Sequence, residues 1–363
     1  MTKVKSHGAI PPRAPNAARA FTLIELAVVV ACLIVLIAVI TVQADRGREQ
    51  SGSLVSMSNL RAMAQGLSAY NEEYSGRNPQ WHRDDIGAFG GNCSQYLAVS
   101  CHPSLKFGTD SGGGIWAYWL GGGSCPASYP GNCFNWCTVW PAGGAGCGWE
   151  FGSYRFPNAA GFRHLVDDRF YAPVFYSPND RSTMSWVEPV ALDNPAEFVI
   201  PAYTGNNVLL SSYCFSISAM FHPDVFRSPT QGGYTAPQSL VHGFQSPSVA
   251  QCLYPDLKSQ MAEINWCAGA PLPEGTLVPA YNAASESTPM TLFFDGHVGA
   301  PSRARAHDDD ALVYKQSGER LWSRDTPLGE LGIFSSTASG SDLSSWHLLT
   351  TGGITGRDFA SAR

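Results

Sequence analysis

The chain has 363 residues, of which 44% are hydrophobic and only 14% are charged, against about 25% charged residues in ordinary soluble domains. Its 37 Gly, 25 Pro and 10 Trp predict a loop-rich, largely β body. Its aromatic content of 12% and the absence of strong charge exclude intrinsic disorder for most of the chain. The net charge is −6, although the first 20 residues contain four basic residues and no acid. Removing these four positive charges leaves −10 for the rest, which argues against a nucleic-acid-binding surface.

Residues 21–42 form an apolar run of 22 residues in which Glu25 is the single charged residue. A helix rises about 1.5 Å per residue, so this run would be roughly 33 Å long and would cross the hydrocarbon core of a bilayer. The basic residues before it favour a cytoplasmic N-terminus. A secretory signal peptide is disfavoured, because the run exceeds the usual length of about 7–15 residues and no small-residue cleavage site follows it. An acid inside a span is costly, which marks Glu25 as functional.

An amphipathic pattern continues the helix after the span. Apolar residues recur at intervals of three and four, which predicts one helix from about residue 21 to 75 whose second half packs against a globular body. Gly76 and Pro79 would end this helix, and the weak helix formers Gly47, Gly52 and Gly66 would bend it. The recurring apolar residues are Leu54, Met57, Leu60, Ala64, Leu67, Tyr70 and Tyr74.

Nine of the ten cysteines follow the span, and six of the nine fall between positions 93 and 147. This density in a Gly-rich section is typical of an oxidising compartment, where disulfides stabilise segments that have little core of their own. Because nine is odd, at least one thiol would stay unpaired or pair between chains. Cys93–Cys101 and Cys252–Cys267 are plausible local bridges. The candidate disulfide cysteines are Cys93, Cys101, Cys125, Cys133, Cys137, Cys147, Cys252 and Cys267.

Two alternatives stay open for residues 80–160. Cys133, Cys137 and Cys147 could bind zinc together with His102 or His164, although the CxxC pair typical of such sites is missing. Five tryptophans could form a face that stacks on carbohydrate or binds a partner, but such residues more often pack inside a Gly-rich loop region. They are Trp116, Trp119, Trp136, Trp140 and Trp149.

Short β-type runs alternate with turn signals between about residues 170 and 300, at 171–180, 197–207, 213–221, 248–255 and 290–298. The expected fold class is therefore α+β: a long N-terminal helix packed on an antiparallel β-sheet, with a Cys/Trp/Gly-rich loop insertion. Asp295, Gly296 and His297 are expected to form a tight hairpin turn rather than a catalytic acid and base. Asp308, Asp309 and Asp310 could bind a structural Ca²⁺, but a solvated loop is favoured. No other cofactor is expected.

Residues 19–26, RAFTLIEL, together with the basic leader and the apolar helix, resemble the N-terminal signal of type IV prepilins and type II secretion pseudopilins. The resemblance implies that prepilin peptidase cuts between Ala20 and Phe21 and that Phe21 becomes the N-methylated first residue. It also implies that Glu25 is the buried assembly acid, whose carboxylate pairs with the Phe21 amine of the next subunit. Ala20 stands where the family usually has Gly, and no proline interrupts residues 21–42.

Three later segments are similar to a large-bodied class of prepilin-like proteins that has an H-x9-DG signature. They are SNLRAMAQGLSAYNEEYSGR (58–77), FYSPND (175–180) and FFDGHV (293–298). Ser177 stands where that class often has cysteine, and Ser285 stands where its signature has histidine.

The resemblance implies a structural subunit of the inner membrane, single-pass, with its leader in the cytoplasm before cleavage and its body in the periplasm or outside the cell. Its partners would be membrane lipid, prepilin peptidase, an assembly-platform membrane protein and other pilin or pseudopilin subunits. A filament-displayed binding module and a monomeric membrane-anchored exoprotein are the alternatives. No enzyme motif is visible, so no catalytic residue is expected.

The expected divisions of the chain follow from these segments. They are a cleaved leader (1–20), a transmembrane and assembly helix (21–42), its amphipathic continuation (43–76), a disulfide-rich Gly/Trp insertion (77–165), a β-rich pilin-like body (166–334) and a Ser/Thr/Gly-rich tail (335–363). The tail is expected to be loosely ordered.

Overall fold

A computed structural model describes residues 22–79, 157–192, 211–263, 288–325 and 349–361, together with the backbone of three short strands between residues 105 and 134. The chain divides into two compact units, residues 1–48 and 49–363. Together they have the layout of an α+β protein, with one long N-terminal apolar helix and a small antiparallel sheet.

Helix α1 runs without interruption from Leu23 to Glu73, which confirms the predicted long helix. It ends where Ser75 and Gly76 adopt positive φ angles of 58° and 79°. Glycine accepts this left-handed conformation without strain, so Gly76 stops the helix as expected. Within the part of the chain that the structure describes, α1 is the one helix long and apolar enough to cross a membrane.

The second half of α1 packs against the body through four residues, Leu60, Met63, Leu67 and Tyr70, which are at most 7% exposed. Their spacing places them on one face of the helix, as the periodicity predicted. The predicted stripe is wrong at its two ends, because Leu54 and Tyr74 are 66% and 44% exposed.

Gly52 and Gly66 allow α1 to approach the body closely, a role that the sequence did not predict. A Cβ at position 66 would lie 2.5 Å from Val166 Cγ2, and one at position 52 would overlap the side-chain amide of Asn179. Gly47 differs from both, since a Cβ there would meet no atom within 4 Å. The two body-facing glycines are therefore packing residues.

The central sheet has four strands in the order β4-β5-β6-β7, all antiparallel. Its strands are β4 (Tyr213–Phe215), β5 (Ser259–Glu263), β6 (Thr291–Phe293) and β7 (Val298–Gly299). Register pairs Cys214 with Ala262 and Leu292 with both Met261 and Val298. A separate three-stranded sheet contains β1 (Leu105–Thr109), β2 (Ile115–Tyr118) and β3 (Cys133–Phe134), with β1 and β2 antiparallel and β2 and β3 parallel.

Three further α-helices, all shorter than α1, are described in the body. The α-helices are α2 (Ala160–Arg163), α3 (Arg181–Val187) and α4 (Arg303–Ser317), and a π-helical turn, Glu188–Leu192, follows α3. Aromatic side chains fill the core between these elements and the sheet, and the largest fully buried ones are Phe162, Phe170, Phe175, Tyr176, Tyr213 and Phe215. Phe162 and Phe215 meet edge to face with ring centroids 5.8 Å apart, which joins α2 to the sheet.

Two predicted strands are helical turns in the structure. Residues 171–180 contain a 3₁₀ helix, Pro173–Phe175, because proline in the first turn fixes a helical φ and lacks the N–H that a strand would donate. Residues 248–255 contain the 3₁₀ helix Val249–Gln251, which Ser248 and Gln251 close with a capping box. The remaining 3₁₀ helices described are Ile217–Ala219, Pro223–Val225, Pro229–Gln231, Pro237–Ser239 and Gly353–Thr355.

The expectation of a loosely ordered tail is wrong for residues 349–361. Leu349, Ile354 and Phe359 are at most 1% exposed and pack in the core, and Thr350 forms an isolated β-bridge with Trp322. The apolar residues are spaced too irregularly among Gly, Ser and Thr to give a helix or strand period. They nevertheless complete the body.

The acidic run 308–310 lies in helix α4, so the expected solvated loop is also wrong. Asp310 is buried and accepts hydrogen bonds from Arg320 (2.7 Å), Arg324 (2.9 Å) and the Leu321 backbone N–H (2.8 Å). Asp309 is buried as well and accepts a hydrogen bond from the Ala360 N–H. Both carboxylates are thus engaged by protein donors that join α4 to later parts of the chain, which argues against a Ca²⁺ site here.

Candidate functional site

Thr22 and Glu25 cap the N-terminus of α1 reciprocally. Glu25 Oε2 accepts hydrogen bonds from the Thr22 backbone N–H (2.9 Å) and from the Thr22 hydroxyl (2.8 Å). In return, Thr22 Oγ1 accepts the Glu25 backbone N–H at 3.3 Å. This capping box satisfies otherwise unpaired helix donors and places a negative charge at the positive end of the helix dipole. The predicted assembly acid therefore has partners within its own chain.

The α1 surface that follows this cap is apolar and exposed. Its large apolar side chains are between 44% and 85% exposed, and none of the most apolar stretch is buried within the molecule. The exposed residues are Leu23, Ile24, Leu26, Val28, Val29, Val30, Leu33, Ile34, Val35, Leu36, Ile37, Val39 and Ile40. A contiguous apolar surface of this kind marks a membrane or protein contact.

A buried polar cluster attaches the second half of α1 to the body. Ser56 and Asn59 come from α1, Ser177 from the turn at 175–180, Tyr213 from β4 and Glu263 from β5. The hydroxyls of Ser56 and Ser177 donate to Glu263 Oε1, and the Met290 N–H donates to Oε2 at 2.8 Å. The Tyr213 hydroxyl lies 2.9 Å from Ser56 Oγ and 3.2 Å from Asn59 Nδ2.

Burial dominates the electrostatics of this cluster. Removal of the carboxylate from water raises the pKa of Glu263 to about 7, and the hydrogen bonds from Ser56, the Met290 N–H and Ser177 oppose part of that rise. Burial, followed by the charge of Glu263, also raises the pKa of Tyr213 well above its usual value, so the phenol stays neutral. Glu263 is therefore a proton-binding group at the joint between α1 and the sheet.

A buried ion pair holds residues 349–361 on the sheet. Lys258 Nζ lies 3.1 Å from Asp358 Oδ2 and donates to Ser216 Oγ (2.8 Å) and Thr350 Oγ1 (2.7 Å). Asp358 Oδ2 also accepts the Ser259 N–H at 2.7 Å. Burial lowers the pKa of Lys258, and Asp358 counteracts this by favouring the charged ammonium. With both side chains at most 1% exposed, each charge depends on the other.

Segments 58–77 and 175–180 meet in the structure. Asn59 Nδ2, from the 58–77 segment, donates to the Tyr176 carbonyl at 3.1 Å, within the 175–180 segment.

Asp295, Gly296 and His297 form the turn between β6 and β7, where Gly296 has a φ of 86° and His297 Nδ1 lies 2.6 Å from Asp295 Oδ1. Both side chains are exposed, and the His297 ring stacks on Phe293 at 4.2 Å. The predicted hairpin is present.

Several predicted site residues lie outside the described residues. These are Ala20, Phe21, Cys93, Cys101, Cys125, Cys137, Cys147 and Cys267, and Cys133 is described only through its backbone. Cys252 carries a free, half-buried thiol, so the structure does not support its bridge to Cys267. Burial raises the pKa of this thiol, which makes it less reactive.

Comparisons with protein-family models, curated proteins and solved structures found no match.

Sequence reasoning missed the capping role of Glu25, although Thr22-x-x-Glu25 fits the capping-box pattern. It also missed the polar cluster, because Glu263 lies in SQMAE, a short strand without apolar alternation. Every residue of that strand is buried, so alternation could not reveal it.

Proposed function

We propose that this chain is a structural subunit, a pseudopilin or pilin-like protein, that is inserted in the inner membrane and assembled into a type II secretion pseudopilus or a type IV pilus-like filament. The observation that carries the proposal is the division of α1: its first part exposes an uninterrupted apolar surface, and its second part is buried against the body. Such a helix can leave the membrane and pack against copies of itself while it carries the body outside.

The N-terminal signal supplies the chemistry of assembly in this proposal. Prepilin peptidase cleaves between Ala20 and Phe21, and the new Phe21 amine remains positively charged after methylation. Glu25 of one subunit then pairs with this amine on the next, with the assembly platform presenting each subunit in turn. Opposite charges attract strongly where water is excluded, and an unpaired one is expensive there, so the pair fixes the register of the stack.

The capping box gives Glu25 a partner before assembly. The hydrogen bonds from Thr22 satisfy the carboxylate in a single chain, and the Phe21 ammonium of a neighbour would replace or join them in the filament. Both sets of bonds are charge-assisted because the carboxylate is ionised in each, but the ammonium adds a full opposite charge. Opposite charges attract strongly where water is excluded, so the exchange favours the assembled state.

In this proposal, the polar cluster around Glu263 attaches the second half of α1 firmly to the body. Ser56 and Asn59 reach buried partners on two other segments, and Leu60, Met63 and Leu67 pack beside them. A body attached in this way moves with its helix when a subunit is added.

The proposal is tested by intact-mass analysis and by crosslinking of the full chain in membranes. A mature chain that starts at methyl-Phe21, and crosslinked ladders that disappear in Glu25→Leu, support it. Glu72→Leu, which removes an exposed acid from the same helix, is the matched control and leaves the ladders unchanged. A mature start after Val42, or ladders equal in all three proteins, overturns the proposal.

The capping box itself favours a second candidate, a monomeric membrane-anchored exoprotein. In that case Glu25 serves only as a helix cap, and its partner is Thr22 alone. Crosslinking separates the two candidates, because an anchored monomer gives no ladder from its own copies at any expression level.

A further inference from the structure

Three metal-ligating side chains converge on the body. His222 and Asp224 lie at the start of the 3₁₀ helix Pro223–Val225, and His242 comes from a second loop. Asp224 Oδ2 lies 3.5 Å from His222 Nδ1 and 3.3 Å from His242 Nε2. One ligand atom from each of the three residues lies within 4.8 Å of the other two.

These spacings fit a tetrahedral metal ion. Zinc binds nitrogen and carboxylate oxygen at about 2.0–2.2 Å, so two ligands of a tetrahedral ion lie roughly 3.3–3.6 Å apart. Both distances from Asp224 Oδ2 to the histidine nitrogens fall in this range. His222 Nδ1 accepts the Asp224 backbone N–H at 3.2 Å, which identifies it as the ring nitrogen with a lone pair. Coordination would exchange this long hydrogen bond for a bond to the metal.

The two loops are held together independently of the three ligands. The His222 backbone N–H donates to the Gly243 carbonyl at 3.2 Å, next to His242. Phe221 and Phe244, one residue before His222 and two after His242, are both 1% exposed and pack with ring centroids 5.9 Å apart. Rigid support of this kind holds ligands in place before the metal arrives, which lowers the cost of binding.

The ligand types select among metals. Two imidazoles and one carboxylate suit zinc and neighbouring transition metals, whereas Ca²⁺ and Mg²⁺ prefer sites built from oxygen. The side chains of His222, Asp224 and His242 are 28%, 44% and 46% exposed, so water or another molecule can reach a fourth position.

We propose that His222, Asp224 and His242 form a binding site for a divalent transition metal, best suited to Zn²⁺, with three protein ligands and an open fourth position. The ion joins the loop at 221–226 to the loop at 240–244. The site does not depend on the proposed filament function, because all of its residues lie in the body and their geometry is complete in a single chain.

The test uses the full chain in detergent, stripped of metal and titrated with Zn²⁺ alone against a chromogenic chelator. The proposal predicts that one Zn²⁺ binds, and that His242→Gln and Asp224→Asn each weaken its binding by at least about tenfold. Loss of even an outer-shell partner lowers metal affinity by about 10–100-fold. His297→Gln is the matched control: His297 is as exposed as His242 and also pairs with an aspartate, but no second histidine among the described residues completes a site there. This variant should bind Zn²⁺ like the wild type.

Two further measurements keep the result unambiguous. Thermal melts should show that Zn²⁺ raises the Tm of the wild type and of His297→Gln but not of His242→Gln, and equal Tm values without metal show that each variant folds. Co²⁺ substitution should give a tetrahedral visible spectrum without a thiolate charge-transfer band, and alkylation of thiols should leave it intact. Absence of binding, equal affinity in His242→Gln, or loss of the spectrum on alkylation would overturn the proposal.

Discussion

The Ser177 hydroxyl donates to Glu263 Oε1 at 2.8 Å, in a contact that joins the turn before α3 to the end of β5, an inner strand of the central sheet. Ser56 of α1 donates to the same oxygen, so a single carboxylate atom connects three distant segments of the chain. The joint between helix and body therefore depends on a group that gains and loses a proton near neutral pH.

Stability should fall as pH rises from about 4.5 to about 7, because of Glu263. Its pKa is about 7 in the folded chain and 4.5 when unperturbed, so the folded state binds more protons in this window. The contribution is complete below about pH 4.5 and is lost as pH passes about 7, with a total of about 3 kcal/mol. Glu263→Gln cannot titrate and should remove this part of the slope. Denaturation of both proteins between pH 4 and 8 measures it, and parallel profiles would contradict the raised pKa.

Lys258→Met should destabilise the body by about 3–5 kcal/mol, because it leaves the buried Asp358 carboxylate without its counter-charge. Lys315→Met, which removes an exposed lysine from α4, is the matched control and should change stability by less than about 0.5 kcal/mol. Lys258→Met combined with Asp358→Asn should recover part of the loss. Chemical denaturation compares the four proteins, and equal midpoints for the two single variants would show that the pair contributes nothing.

Gly66→Ala should destabilise the body, although alanine favours a helix by about 1 kcal/mol over glycine. Its Cβ would lie 2.5 Å from Val166 Cγ2 and 3.3 Å from the Leu165 carbonyl oxygen, and overpacking typically costs about 1–3 kcal/mol. Gly47→Ala meets no atom within 4 Å and should stabilise α1. Thermal melts of both variants test the contrast, and a higher Tm for Gly66→Ala would mean that the approach of α1 is looser than described.

Thr22→Ala separates the capping role of Glu25 from its proposed assembly role. The substitution removes the hydroxyl that bonds to Glu25 and should cost the helix about 1 kcal/mol. The carboxylate charge remains, so crosslinked ladders in membranes should be as abundant as in the wild type. Glu25→Gln keeps the shape but loses the charge, and its ladders should be lost. Equal loss in both variants would show that the cap, not the charge, supports assembly.

Alkylation without reduction should label at most three of the nine cysteines that follow the span, if the body matures in an oxidising compartment. Cys252, whose thiol is free and half-buried, should be one of them. Mass spectrometry of peptides identifies the labelled positions. Labelling of six or more would point to a reduced or metal-bound set instead.

Structural features that follow from a local sequence pattern were predicted well, whereas features that depend on contacts between distant residues were not. The 3.6-residue period located α1 and three of its four buried apolar residues, Leu60, Leu67 and Tyr70, and the Asp295–Gly296 turn located the β6–β7 hairpin. Strand β5 gave no signal, because both of its faces are buried and polar residues occupy most of its positions.

The predicted strand at 171–180 is a helical turn, since proline and the buried contacts of its neighbours override β propensity. His222, Asp224 and His242 have no diagnostic spacing and meet only because two loops fold together. The buried ion pair was not predictable from the sequence for the same reason. Lys258 and Asp358 are separated by 100 positions, and no local pattern connects them.

The same ion pair limits the order in which the body can fold as the chain is synthesised. Synthesis runs from the N-terminus, so Lys258 is made 100 residues before Asp358 and has no carboxylate to neutralise it in that interval. Burying the ammonium before Asp358 is available is unfavourable, so closure of this part of the core waits for residues 349–361. A chain truncated before Asp358 should therefore leave an incomplete sheet rather than a smaller stable body.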